Sequence, residues 1–135
     1  MLRKCIRLDI KKIENSLGIS NKNIEIYIDK DNRKNVIAFM KKEYKKTRRI
    51  FYEILSSRYN RDLYSKEEIS KRTKGITAMK YKGKSRHNMR IFCKEYFDNM
   101  TNKKIVIIST YKKKSNKSKK WRNYIEKIGG YHYEF

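Results

Sequence analysis

Residues 79–122 carry fifteen Lys and Arg against only Glu95 and Asp98, a net of +13. Cations at that density attract phosphate. Arg90 is the strongest single candidate, since a guanidinium stays protonated and can grip two phosphate oxygens at once. Lys80 and Lys82 lie two apart and share a face of an extended strand. A lysine, with a pKa about 10.4, is a poor base near neutrality. Neighbouring cations disfavour its charged form and bring it closer to use. His87 has the only side chain in this region whose ordinary pKa suits proton transfer near neutrality. Arg86, Lys94 and the run Lys112-Lys113-Lys114 surround these groups, and Tyr111 offers an aromatic face to an unpaired base. The closing "YHYEF" puts Tyr131 and Tyr133 on one face of an extended tail and His132 on the other. Each has a plainer reading: a solvated arginine, a basic contact face, an exposed loop histidine, a solubilising lysine run, a strand-end core tyrosine.

Other chemistries lack their residues. Cys5, His87, Cys93 and His132 have no paired zinc-ligand spacing, so no metal is expected. Gly129-Gly130 is an isolated pair, without a phosphate-binding loop or dinucleotide fingerprint, so no cofactor is expected. Neither cysteine has a cue for nucleophilic catalysis. The two cysteines are far apart and fit a reducing cytoplasm better than a disulfide scaffold. No apolar run approaches a spanning helix, and the first residues are interrupted by charge too often for a signal peptide. The whole chain, 135 residues with a net charge of +23, fits one domain drawn to a polyanion and not to a membrane.

The elements that must position these groups can be read from periodicity. Leu2, Ile6, Ile10, Ile13 and Leu17 form one helical stripe ended by Gly18, an N-terminal helical extension over residues 1–20. "NIEIYID" (23–29) alternates as a strand, with Asp31 or Asn32 as the N-cap of the next helix. Residues 33–58 keep a helical period as one helix, or as a hairpin that breaks near Lys46–Arg48. "SKEEI" (65–69) reads as a capping box opening a short helix. Three strands come next, over 76–82, 88–97 and 104–112, with short polar links that favour an antiparallel meander. A helix over 118–128 closes the order. The fold class expected is α+β, a small antiparallel sheet with helices packed on one face. Along strand 88–97, Met89, Ile91 and Cys93 share the face towards the helices, which turns Arg90, Phe92 and Lys94 to the open face.

A strand, a helical hairpin, then a meander ending in an aliphatic strand, an aromatic and a Lys-Lys pair resembles the RelE/HigB/ParE toxin superfamily, in particular its phage-related HigB-like branch. The segments that carry the resemblance are "MRIFCKEYF" and "IVIISTYKKKSNKS". Where the branch has Glu-Leu-Arg, this chain reads Ala78-Met79-Lys80. The resemblance implies a RelE-like domain over residues 21–135 that acts as a metal-independent endoribonuclease on mRNA. Such enzymes let the RNA 2′-hydroxyl attack its own phosphate, which needs a base, an acid and cations for the developing phosphorane. Arg90 would stabilise that charge, and Lys80, Lys82 or His87 would handle protons. Arg86, Lys94, Tyr111, Lys112, Lys113, Lys114, Tyr131, His132 and Tyr133 would contact RNA. The implied partners are mRNA, the ribosome and a cognate antitoxin. A gyrase-poisoning toxin of the same superfamily and a non-enzymatic basic nucleic-acid-binding protein are the alternatives.

Overall fold

The structure, a computed structural model, describes residues 2–83, 88–113 and 118–135. The chain is α+β, with a curled mixed sheet of seven strands and four helices. In chain order the elements are β1 (Leu2–Arg7), α1 (Lys11–Leu17), β2 (Ile24–Asp29), α2 (Arg33–Lys42), α3 (Tyr44–Leu55), β3 (Tyr64–Lys66), a 3-10 turn (Lys71–Thr73), β4 (Ile76–Tyr81), β5 (Met89–Asp98), β6 (Lys103–Lys113), α4 (Ser118–Gly129) and β7 (His132–Glu134). The order across the sheet is β3-β4-β5-β6-β2-β1-β7. β4, β5 and β6 form the expected antiparallel meander, but β2 joins β6 in parallel and β7 joins β1 in parallel.

The helices occupy both faces, not one. α2 and α3 bury Val36, Met40, Ile50, Phe51 and Ile54 against Ile26, Ile28, Ile91, Cys93, Val106 and Ile108, with α1 packed at the edge. α4 lays Ile125 and Ile128 on Ile76, Ala78 and Phe92 from the other side. Both faces of the central strands are therefore apolar, so each needs its own cover.

Two other expectations are corrected. Residues 2–7 are a strand and not the start of a helix. β1 pairs with β2 through Cys5 and Asp29, and its Arg3 guanidinium reaches the fully buried Asp29 carboxylate at 2.7 Å. Sheet pairing and that ion pair outweigh the local helical period and leave Leu2 69% exposed. "SKEEI" is also not a helix. Ser65 lies in β3, and Glu68 accepts the Gly75 N–H at 2.9 Å, so the carboxylate fixes the entry to β4 rather than a helix N-terminus. The helical hairpin breaks at Glu43, just ahead of the expected break. There Thr47 Oγ1 donates toward Met40 O at 3.0 Å, a carbonyl near the end of α2, and lies 2.9 Å from Glu43 O, which also accepts the Thr47 N–H at 2.9 Å.

One irregularity positions the site. β6 carries an extra residue at Ser109, so Phe92 pairs with Thr110 while Cys93 pairs with Ile108. Such a bulge shifts the side-chain alternation by one. Ile108 and Tyr111, three apart, both face α2 and α3. Thr110 and Lys112 turn to the α4 face.

Candidate nucleic-acid interface

On that face, one register row crosses the meander: Lys80 pairs with Arg90, and Arg90 pairs with Lys112. Three cations stand side by side at adjacent strand positions, where cross-strand side chains interact directly. Arg90 is 4% exposed. Its Nη1 lies 3.4 Å from the Asn88 and Met89 carbonyls, at the long limit of hydrogen bonding. Among the described residues no carboxylate forms an ion pair with it. Burial lowers its pKa, and the Glu67 charge only partly opposes this. A guanidinium nevertheless keeps its proton under all ordinary conditions. Arg90 is therefore a desolvated cation whose fork of donors is poorly used.

Its neighbours are better satisfied. Lys80 is buried, donates to Arg61 O at 2.8 Å and lies 3.8 Å from Glu67. Lys82 falls just past the end of β4 and pairs with Asp62 at 2.9 Å. Both lysines thus engage the segment leading into β3. Lys112 is exposed, with Nζ 4.3 Å from the centre of the Tyr124 ring. Lys113 is exposed and, as the next residue along β6, belongs to the other face. His87, Arg86 and Lys114 lie outside the described residues.

Three expectations for this site change. Lys94 does not present its charge to solvent. It is 5% exposed, and its Nζ donates to Gly129 O at 3.2 Å and Tyr131 O at 2.5 Å, so it pins the chain leaving α4. Burial lowers its pKa. Arg90 is likewise buried instead of lying on an open face. Tyr111 faces α2, stacked on Phe39 with centroids 5.6 Å apart, on the side of the sheet away from Arg90.

The tail is internal too. Tyr131 lies under the Arg3 guanidinium at 4.5 Å. Tyr133 donates to Asp29 at 2.7 Å and shares a 2.6 Å hydrogen bond with Ser109 Oγ. Burial and the Asp29 charge push its pKa upward. His132 is exposed on the edge strand β7. Tyr131 and Tyr133 do share a face, but that face looks into the protein.

Trp121 and Tyr124 were readable only as helix-stripe residues, and they complete the site. Trp121 packs on Phe92 with centroids 5.3 Å apart, and its ring lies 6.2 Å from that of Tyr124. Lys112, Tyr124 and Trp121 thus form one cation–aromatic line beside the row. Among the described residues no three of His, Cys, Asp or Glu converge as metal ligands would. Nor is any helix there long and apolar enough to cross a membrane. Comparison with protein-family models, curated proteins and solved structures finds no match.

Proposed function

We propose that the protein is the toxin of a type II toxin–antitoxin pair, an endoribonuclease that cuts mRNA on the ribosome without a metal. The observation that carries this reading is Arg90: a buried guanidinium that no carboxylate among the described residues pairs with, set between Lys80 and Lys112. Such a group costs folding energy unless an anion completes it. A phosphate supplies two oxygens to the fork, and a pentacoordinate phosphorane supplies more charge than the ground state does. Arg90 then favours the transition state over the substrate.

In the proposed reaction the RNA 2′-oxygen bonds to the adjacent phosphorus and the bond to the 5′-oxygen breaks. The 2′-proton leaves to a base, and an acid protonates the departing 5′-oxygen. The products are a 2′,3′-cyclic phosphate and a 5′-hydroxyl, with no co-reactant consumed. Lys80, beside Arg90 in this row, is proposed to exchange a proton with the RNA, and His87 is the alternative. A cognate antitoxin is the proposed protein partner, its acidity offsetting the net charge of +23.

The test is single-turnover incubation with a programmed ribosome in chelator, with analysis of the RNA ends. Cyclic-phosphate ends within the message support the reading. Intact RNA with gyrase-dependent DNA breaks replaces it with gyrase poisoning, and ribosome binding without scission replaces it with a non-enzymatic binder.

A further inference from the structure

We propose that the cleft between α4 and Ile69 is a nucleobase subsite, in which an unpaired base of single-stranded RNA stacks on Trp121 while Lys119 and Arg122 hold the flanking phosphates. This rests on the reading of the Lys80–Arg90–Lys112 row as a phosphate site.

The cleft has a volume of about 410 Å³ and is lined by Ile69, Lys119, Trp121, Arg122 and Ile125. That is the size range of small-ligand sites. Its floor is apolar and aromatic, and its rim is two exposed cations. Neither cation has an ion-pair partner among the described residues, and Glu126 is the only acid of α4. An aromatic face flanked by cations is the usual platform for an unpaired base, whose ring is apolar on its faces and whose phosphates are anionic. A neutral apolar ligand would leave the cations idle, and a peptide would need acids at fixed places.

Position strengthens the case. Trp121 rests on Phe92, which lies two residues from Arg90 on the same strand face, roughly 7 Å along β5. Lys112 covers Tyr124, which adjoins Trp121. Trp121 therefore adjoins the strand face that carries Arg90. Among the described residues Lys119 and Arg122 are the charged side chains lining the cleft, and their natural target is phosphate. The stacking is thus sequence-tolerant.

Trp121 is the chain's single tryptophan, so intrinsic fluorescence reports on this cleft. The probe is a six-nucleotide 2′-O-methyl RNA, which lacks the attacking hydroxyl and survives intact, compared with an abasic phosphodiester of equal length. Saturable quenching by the methylated RNA and none by the abasic oligomer is expected. Trp121→Ala should weaken binding about tenfold, while Trp121→Phe, which keeps the packing on Phe92, should retain most of it. Unchanged fluorescence at saturation, judged by anisotropy of a labelled RNA, overturns the subsite, as does equal quenching by the abasic oligomer. Cleavage of unmodified RNA without quenching removes the subsite and leaves the endonuclease. Quenching without cleavage of message on the programmed ribosome keeps the subsite and removes the endonuclease.

Discussion

Arg90→Met separates an arginine kept for function from one kept for structure, because the two predict opposite effects on stability. Methionine is flexible and nearly as long, so most of the packing survives. The substitution removes two contacts at 3.4 Å to the Asn88 and Met89 carbonyls, which are too long to contribute much. It also removes a desolvated charge between two like charges. With cross-strand heads about 6–8 Å apart, each repulsion is about 2–3 kcal/mol at an effective dielectric of about 20. Glu67, 3.8 Å from Lys80, offsets one repulsion, and solvent screens exposed Lys112. The net relief is about 1–2 kcal/mol, a melting temperature a few degrees higher. In the same preparation single-turnover cleavage should fall by ~10²–10³, while ribosome binding weakens far less because many other cations contribute. Arg90→Lys should recover only part of the rate, since lysine lacks the fork. A variant that loses 2 kcal/mol or more in urea denaturation while cutting at the wild-type rate would show that Arg90 serves the fold.

Contacts elsewhere in the fold set three further outcomes. Asp29→Ala should cost about 3–5 kcal/mol in chemical denaturation, because it removes the buried carboxylate that Arg3 and Tyr133 bond at 2.7 Å and frees the Asp31 and Asn32 N–H groups that the carboxylate accepts. Lys94→Met should lower stability by about 1–3 kcal/mol and speed hydrogen exchange in β7, yet leave RNA affinity nearly unchanged, because its Nζ is spent on Gly129 O and Tyr131 O. Lys103, then Tyr27 and Arg7, holds the Glu25 carboxylate below its ordinary 4.5. The folded pKa lies below the unfolded one, so this stabilisation is complete above pH 4.5 and is lost as pH falls through the lower folded value. The difference in unfolding free energy between wild type and Glu25→Gln, under ~1 kcal/mol for a pair at the surface, should therefore vanish on acidification.

The elements legible in the sequence are those whose period and burial agree. Ile24, Ile26 and Ile28 alternate and are buried; the 76–82, 88–97 and 104–112 runs became β4, β5 and β6; the stripe through Ile125 and Ile128 became α4. The failures share a physical cause, a tertiary contact stronger than local preference. Leu2 and Ile6 fit a helix, yet Arg3 gains a buried partner only if residues 2–7 extend along β2. Glu68 fits a capping box, yet its oxygen is used by Gly75, whose φ of +86° and 2.7 Å clearance to Glu95 O, measured for an added Cβ, make the turn specific to glycine.

The site was half legible for a related reason. Strand spacing grouped Lys80 with Lys82 and Arg90 with Lys94, whereas the row Lys80–Arg90–Lys112 comes from the cross-strand register, and Lys112 enters it only through the bulge at Ser109. No periodicity announces that bulge: Val106 to Tyr111 reads as uninterrupted alternation, which would have sent Lys112 to the face of α2 and α3. The bulge is held by contacts from distant segments, Asn32 Nδ2 to Ser109 O at 3.0 Å and Tyr133 to Ser109 Oγ. The tail expected to reach for substrate thus acts at one remove. Tyr133 ties Ser109 to Asp29, Asp29 ties Arg3 and β1 to the sheet, and the bulge so fixed aims Lys112 at Arg90. A cation's place in the row depends on residues at both ends of the chain, and local sequence around Lys112 could not carry that information.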